Sequence, residues 1–177
     1  MLPRRTFVLG GARSGKSTFA ERLASYYGKS KAYIATAQAF DNEMRLRVEQ
    51  HQARRGDDWR MIEAPLDVAG ALSQVTAGEV VLLDCATLWL SNQMLAGADL
   101  ASECETLLAA LAGCRAAVLM VSNEVGQGIV PENPMARQFR DEQGQLNQRL
   151  AEMADLAVLV VAGLPLVLKG RLPDGFA

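Results

Sequence analysis

The residues with the clearest chemical meaning are GGARSGKST, at positions 10–18. They match the pattern G-x-x-x-x-G-K-[ST], with Gly10, Gly15, Lys16 and Ser17 at the fixed positions. Small residues allow the backbone N–H groups of 11–16 to surround phosphate oxygens, and the start of a following helix adds positive partial charge. The pattern predicts a phosphate-binding loop in which Lys16 reaches the β- and γ-phosphates and the Ser17 hydroxyl ligates Mg²⁺.

The mostly apolar run EVVLLDC, at 79–85, contains a carboxylate that suits this loop. Asp84 ends that run, as the magnesium-associated carboxylate of P-loop proteins does. Aspartate is common in turns, so the prediction depends on the loop upstream. We expect Asp84 to hold Mg²⁺ directly or through water.

His51, the one histidine of the chain, lies in RLRVEQHQARR at 45–55. Met44, Val48, His51 and Arg55 have the spacing of one helical stripe, so the imidazole is expected to face the protein body. Arginines at 47, 54 and 55 suit polyphosphate binding, and their charge favours the neutral, nucleophilic ring, although aspartates at 57 and 58 weaken that effect. The residues alone leave two interpretations open: a nucleophile, or a histidine on a solvated helix face.

A glycine- and proline-rich loop, EVGQGIVPENP, begins at 124. Loops of this kind often bear functional residues. Asn123 and Glu124 either contact a substrate or satisfy the backbone of the loop, and the sequence does not decide between the two.

Alternating strands and helices must position these residues. Apolar runs predict strands at 6–10, 31–36, 60–64, 79–85 and 116–123, followed by a strand pair at 156–163 and 164–169. Helices are predicted at 16–27, from 41 to 55, from Pro65 onward, at 86–95, at 101–113 and at 134–153. The order indicates an α/β fold with a mostly parallel sheet flanked by helices, and the short last connection requires an antiparallel pair. Ligands in such folds bind at the carboxyl ends of the strands.

Length and composition limit the remaining possibilities. A chain of 177 residues with 50% hydrophobic and 21% charged residues fits one domain, 1–177, whose glycine- and proline-containing end at 170–177 is expected to be loose. A net charge of −2 argues against nucleic-acid binding. Three cysteines without metal or disulfide spacing favour a cytoplasmic protein, and no apolar stretch is long enough for a membrane span.

Several motifs together resemble a known family. GGARSGKS, YIATAQAFDNEMRLRVEQHQARR, LLDCATLWLSN, SNEVGQGIVPENPMARQFRDEQGQLNQRLAEMAD and LVVAGLPLVLK occur in order, over about residues 6–169. The set is similar to the bifunctional adenosylcobinamide kinase / adenosylcobinamide-phosphate guanylyltransferase family of cobalamin assembly. The phosphate loop alone would be unspecific, whereas the histidine-bearing helix and the NEVGQGIVPEN loop are selective.

The resemblance implies a P-loop fold of the RecA-like type, a homotrimer and two reactions. ATP or GTP phosphorylates adenosylcobinamide. The histidine matching His51 then takes GMP from GTP and passes it to adenosylcobinamide phosphate. The implied nucleotide contacts are Gly10, Gly11, Ala12, Arg13, Ser14, Gly15, Lys16, Ser17, Ala35, Thr36, Ala37, Gln52, Ala53, Arg54, Arg55, Glu63 and Asp84.

Two departures from the family pattern and two rival functions remain. Gly56 stands where the family often has proline, and some members have glutamate at the position of Asp84. One rival is a P-loop small-molecule kinase without guanylyl transfer. The other is a nucleotide-driven assembly switch. The sequence lacks the basic stripe and the appended polymer-binding domain that such a switch would use, which counts against it.

Overall fold

The computed structural model describes residues 3–28, 30–38 and 58–176. Its strands are β1 (Arg5–Gly10), β2 (Ser30–Ala35), β3 (Trp59–Glu63), β4 (Glu79–Asp84), β5 (Ala117–Asn123), β6 (Leu156–Val161) and β7 (Leu164–Lys169). Its helices are α1 (Lys16–Tyr26), α2 (Val68–Ser73), α3 (Ala86–Leu95), α4 (Leu100–Gly113) and α5 (Pro134–Met153). The helix predicted for 41–55 lies outside the described residues.

The strands form one sheet in the order β3-β2-β4-β5-β1-β6-β7. Six strands run parallel, and β7 pairs antiparallel with β6. The predicted α/β class, the mostly parallel sheet and the antiparallel C-terminal pair are therefore confirmed. Strands β4, β5 and β1 are neighbours in the middle of the sheet, and such sheets bind ligands beyond the carboxyl ends of their strands.

The sheet separates two apolar layers. Strands β1 and β4 are buried along nearly their whole length, as their continuous apolar runs predict. On one face α1 buries Phe19, Ala20, Leu23 and Ala24. On the other face the core includes Trp89 and Leu90 of α3, residues of α2 and α4, and Leu146 and Leu150 of α5.

Short polar side chains begin three of the helices. Asp99 and Asn133 accept hydrogen bonds from the first backbone N–H groups of α4 and α5, and Pro134 occupies the first turn of α5. The prediction that Pro65 opens a helix is wrong, because α2 begins at Val68, where the Asp67 carboxylate accepts from the Gly70 N–H at 2.7 Å. Within the described ranges no helix is long and apolar enough to cross a membrane.

An ion pair joins β3 to β4 across β2. The Arg60 guanidinium contacts the Glu79 carboxylate at 2.9 Å, and the Thr76 N–H donates to the same carboxylate at 2.7 Å. Burial raises the pKa of Glu79, but these hydrogen bonds outweigh it, so the net pKa is lowered. The pair fixes the entry to β4 at the edge of the sheet opposite the phosphate loop.

The C-terminal segment folds back onto α1. The Phe176 ring centroid lies 5.6 Å from that of Phe19 and 5.5 Å from that of Tyr26, with the Arg22 guanidinium 5.6 Å from the Phe176 centroid. The loose tail expected at 170–177 stays a prediction, although Phe176 makes these ring contacts with α1.

Candidate active site

The phosphate loop connects β1 to α1. The Ser14 N–H donates to the Gly11 carbonyl at 3.3 Å, and α1 begins directly after Gly15, whose φ of 93° is one that glycine adopts without strain. No side chain caps α1, so its first N–H groups face the concave side of the loop. A β-carbon on Gly10 would lie 2.7 Å from the Val160 carbonyl oxygen, which explains the glycine there.

The turn between β6 and β7 holds this loop from behind. The Gly163 N–H donates to the Ser14 carbonyl at 2.8 Å, and a β-carbon on Gly15 would lie 3.1 Å from the Gly163 α-carbon. Sequence reasoning missed this contact. The only signal was indirect: an antiparallel pair next to β1 must turn at the C-terminal edge of the sheet.

Lys16 lies inside the loop. Its ammonium donates to the Gly11 carbonyl at 3.1 Å. Burial lowers the pKa of Lys16, while Cys85 and the Asp84 carboxylate oppose that shift. The ammonium is thus held close to the loop and close to the end of β4, where a phosphate chain would bring further negative charge.

The ends of three strands are level with one another. Ala35 of β2 pairs with Glu63 of β3 on one side and with Asp84 of β4 on the other. Glu63 is exposed and Asp84 is half-buried. On the other side of β4, Gly10 of the phosphate loop pairs with Asn123 of β5. The structure therefore brings the predicted residues of the described ranges to a single edge.

Thr36 differs from its neighbours in the predicted nucleotide-contact set. It is fully buried, and its hydroxyl bonds both backbone groups of Cys85 at 2.8 Å. Ala37 is half-buried, as is Ala35. Ala35 and Ala37 therefore offer more accessible surface to a ligand than Thr36 does, and the three nucleotide contacts stay predictions.

Cys85 follows Asp84 directly and is the reactive side chain nearest to it in sequence. Burial raises the pKa of its thiol to about 12, and the Asp84 carboxylate adds to that shift. The thiolate is the nucleophilic form, so a raised pKa argues against Cys85 as a nucleophile.

Asn123 and Glu124 are held by the protein itself. The Asn123 N–H donates to the Thr87 hydroxyl at 2.7 Å, and its carbonyl accepts from the Asn147 amide at 3.1 Å. The Glu124 N–H donates to the Gly10 carbonyl at 3.1 Å, while its carboxylate accepts from the Gly126 N–H at 2.5 Å. Of the two interpretations left open, the satisfaction of loop backbone groups is the one these bonds favour for Glu124.

A buried polar network supports that loop from α5. The Ser122 hydroxyl donates to the Asn147 side-chain oxygen at 2.7 Å, and the Gln143 amide donates to both residues at 3.0 and 2.9 Å. The sequence alone did not point to these amides of α5. Their spacing of four residues, facing a buried strand, was the available signal.

Five predicted site residues lie in the stretch from 39 to 57, outside the described residues: His51, Gln52, Ala53, Arg54 and Arg55. The loop contacts Gly11, Ala12, Arg13, Ser14 and Ser17 all lie in the described phosphate loop. Arg13 has a left-handed φ of 55° at the tip of the loop.

The chemistry of the site suits a magnesium–nucleotide complex. Ser17 and Asp84 offer oxygen ligands, and magnesium is usually held by one or two such groups together with substrate phosphates. Within residues 3–28, 30–38 and 58–176, no group of three or more His, Cys, Asp or Glu residues forms a metal cage. The donor set fits a metal that arrives with the nucleotide.

Solved structures share this architecture. The RadB recombinase superposes with a TM-score of 0.51 at 19% identity, covering 98% of this chain and 85% of that one. A KaiC-like protein from Pyrococcus horikoshii OT3 gives 0.50 at 13% identity, covering 97% and 82%. The fold is thus that of RecA-like P-loop proteins, and the loop, the lysine and the strand-end carboxylate define a nucleotide-binding protein of that class.

Sequence relatives define the family within this class. The model of the cobinamide kinase / cobinamide phosphate guanyltransferase family matches residues 6–168, and the chain belongs to that family. The bifunctional adenosylcobalamin biosynthesis protein CobP of Pseudomonas aeruginosa is 47% identical over 170 residues, covering 94% of this chain and 98% of the relative. CobU of Escherichia coli K12 is 39% identical over 178 residues, covering 92% and 98%.

Proposed function

We propose that this protein catalyses two consecutive transfers to adenosylcobinamide. In the first, the substrate hydroxyl attacks the γ-phosphorus of ATP or GTP, the bond to the β-phosphate oxygen breaks, and a nucleoside diphosphate leaves. In the second, a nitrogen of His51 attacks the α-phosphorus of GTP and pyrophosphate leaves. A phosphate oxygen of adenosylcobinamide phosphate then displaces His51, which gives adenosylcobinamide-GDP.

The observation that supports this proposal most directly is the phosphate loop itself, with Lys16 inside it and Asp84 at the adjoining strand end. A loop that binds the β- and γ-phosphates serves both reactions, because it neutralises a departing diphosphate in one and a departing pyrophosphate in the other. The nucleophile alone decides which phosphorus reacts. The identity of the substrates is inferred from membership of the family.

The proposed roles follow from this arrangement. Lys16 neutralises charge on the phosphates, and His51 is the acceptor and later the leaving group for GMP. Mg²⁺, held by Ser17 and Asp84 either directly or through water, would neutralise further phosphate charge when bound. The remaining nucleotide contacts are proposed for Gly10 to Gly15, Ala35, Ala37, Gln52 to Arg55, and Glu63.

We further propose a cytoplasmic homotrimer. Strand β7 supports the assembly, because all six of its residues are exposed although four are Leu or Val. Apolar edge strands are normally covered, and contacts with further copies of this chain would cover this one. Free cysteines among the described residues agree with a reducing compartment.

The experiment that tests the function is intact-mass measurement after incubation with GTP and Mg²⁺. The wild type should gain the mass of one GMP, and His51→Ala should gain nothing, while Gln50→Ala, a change in the same stretch, serves as the control. Phosphorylation of adenosylcobinamide is followed separately by chromatography. A protein that phosphorylates adenosylcobinamide but gains no mass is a kinase alone, and the guanylyl-transfer part of the proposal would then be wrong.

A further inference from the structure

Thr36 lies directly after β2, and its side chain does not face the open edge of the sheet. The residue is fully buried. Its hydroxyl accepts a hydrogen bond from the Cys85 N–H at 2.8 Å and donates one to the Cys85 carbonyl, also at 2.8 Å. One side-chain oxygen thus satisfies both backbone groups of the residue that follows Asp84.

The backbone of Thr36 is engaged as well. Its N–H donates to the Asp84 carbonyl at 3.4 Å, and its carbonyl accepts from the Asn92 amide at 2.8 Å. The same Asn92 nitrogen donates to the Pro65 carbonyl at 2.9 Å. Asn92, on α3, is itself buried. These bonds tie together the segments that follow β2, β3 and β4.

We propose that Thr36 is a positioning residue: through the backbone of Cys85 it sets the direction in which Asp84 presents its carboxylate to the phosphate loop. Asn92 extends the same restraint to the segment that follows Glu63. The inference rests on the proposed function in one respect, which is that Asp84 acts on the bound nucleotide. It gives the buried Thr36 hydroxyl a role different from the predicted contact with the nucleotide, and the experiment below distinguishes the two.

The physical reason lies in what the hydroxyl replaces. Beyond the end of β4 the ladder of backbone bonds to β2 stops, since Cys85 has no opposite strand residue in the register, which ends at Ala35 and Asp84. Without the hydroxyl, the buried Cys85 N–H would lose its partner, while the Cys85 carbonyl would keep only the bond from the Trp89 N–H at 3.2 Å. The chain would then shift until the N–H found another acceptor. The Thr36 hydroxyl prevents that shift one residue away from the carboxylate. A displacement of about 1 Å at a reacting centre costs on the order of 10²-fold in rate.

The test compares Thr36→Val, which keeps the shape and removes the hydroxyl, with Thr36→Ser, which keeps the hydroxyl. Thr6→Val is the matched control, because it makes the same change at another fully buried position, near the start of β1. Expected for Thr36→Val is a kcat lowered by about 10–100-fold in both transfers. Its Kd for GTP, measured in EDTA, should stay within about threefold, since the phosphate loop is unchanged. Thr36→Ser and Thr6→Val should stay within about threefold of the wild type in both quantities.

Cys85 provides a readout that is independent of catalysis. Its thiol is buried, so alkylation of the native protein by iodoacetamide should be slow. If the hydroxyl of Thr36 fixes the backbone at Cys85, the rate of modification at that residue should rise about tenfold or more in Thr36→Val and not in Thr36→Ser. Peptide mapping separates Cys85 from Cys104 and Cys114.

Three results would overturn the inference. The first is a Thr36→Val protein with unchanged kcat and unchanged Cys85 alkylation. The second is a loss of GTP affinity as large as the loss of kcat, which would make Thr36 a direct contact. The third is a Thr36→Ser variant as impaired as Thr36→Val, which would assign the effect to the methyl group.

A replacement variant and the alkylation rates cover the cases in which Thr36→Val does not fold or the wild type is inactive. If Thr36→Val does not fold, Thr36→Ala takes its place, and the comparison with Thr36→Ser stands. If the wild type neither phosphorylates adenosylcobinamide nor gains GMP, the proposed function is wrong. The alkylation rates would then still decide whether Thr36 holds the backbone at Cys85.

Discussion

Removal of the Lys16 ammonium should impair both transfers together. The group lies in the phosphate loop, 3.1 Å from the Gly11 carbonyl, and it is partly desolvated, as the lowered pKa of Lys16 indicates. It is therefore already oriented before a nucleotide binds. Losing one such preorganised group costs about 3–4 kcal/mol of transition-state stabilisation, or roughly 10²–10³-fold in rate. We expect Lys16→Ala to show a loss of that size in adenosylcobinamide phosphorylation and in GMP transfer.

The assay measures kcat/KM for each reaction separately, with purified substrate for each. Lys31→Ala is the matched control, because this lysine also lies in the sheet but at the start of β2, 3.7 Å from the Asp58 carboxylate and near the Trp59 ring. It should retain both activities within about twofold, as expected for an ion pair away from the site. If either transfer survived Lys16→Ala within about tenfold, the two reactions would not share one phosphate-binding loop.

Three other outcomes follow from the structure. Gly10→Ala brings a β-carbon within 2.7 Å of the Val160 carbonyl oxygen, whereas the β-carbon of Gly113→Ala meets nothing within 4 Å. Calorimetry should show a GTP affinity lowered about tenfold or more in Gly10→Ala and unchanged in Gly113→Ala. Equal affinities of the two variants would refute the packing argument. Because the pKa of Glu79 is lowered in the folded state, its contribution to the free energy of unfolding is present above about pH 4.3 and lost as the pH falls through the folded pKa. Glu79→Gln should lower that free energy by about 1–2 kcal/mol at pH 7 and flatten its acid dependence, unlike Glu105→Gln in an exposed pair, and unchanged denaturant curves would contradict this. Light scattering at micromolar concentration should give about three times the chain mass of 19.1 kDa, and a single chain mass would contradict the trimer.

Much of the fold was predictable because its signals are local. The limits of α5 agree with the sequence prediction, since Pro134 is a typical first-turn residue and a single helical pattern follows it. The phosphate loop was predictable because every residue it requires is contiguous. The start of α2 was not predictable, because Pro65 and Asp67 are both reasonable residues at the beginning of a helix. The hydrogen bond that the Gly70 N–H donates to the Asp67 carboxylate decides between them.

The support behind the site was not predictable, because it depends on contacts between distant parts of the chain. Thr36 and Cys85 are 49 positions apart, and nothing in the sequence distinguishes a threonine that faces a nucleotide from one that holds a neighbouring strand. The Gly163 contact with the phosphate loop requires that β6 lies beside β1, which only the strand order reveals. Residue types predict the reacting groups, whereas only the topology shows which side chains lie behind them.

We propose His51 as the covalent nucleophile because its surroundings in the sequence resemble those of the family's guanylylated histidine, and the side chains near the phosphate loop suit that role less well. The Lys16 ammonium donates a hydrogen bond to the Gly11 carbonyl inside the phosphate loop, so it is assigned to neutralising phosphate charge. Cys85 has a thiol with a pKa of about 12. His51 is the single imidazole of the chain, and an imidazole is largely neutral at pH 7 without any special environment. The GMP bond should therefore be a phosphorus–nitrogen bond to histidine.

Such an adduct should be labile in acid and stable in base, in contrast to an ester of a serine hydroxyl. Protein labelled with GTP bearing radioactive phosphorus in the α-position is divided between acid, base and neutral hydroxylamine, and the labelled peptide is identified by mass. Release in acid and in hydroxylamine, with the label on the peptide that contains 45–55, is the expected result. A label that resists hydroxylamine and maps to Lys16 would show that another group receives GMP, because histidine phosphoramidates react with hydroxylamine more readily than lysine phosphoramidates do. A label that persists in His51→Ala would show the same.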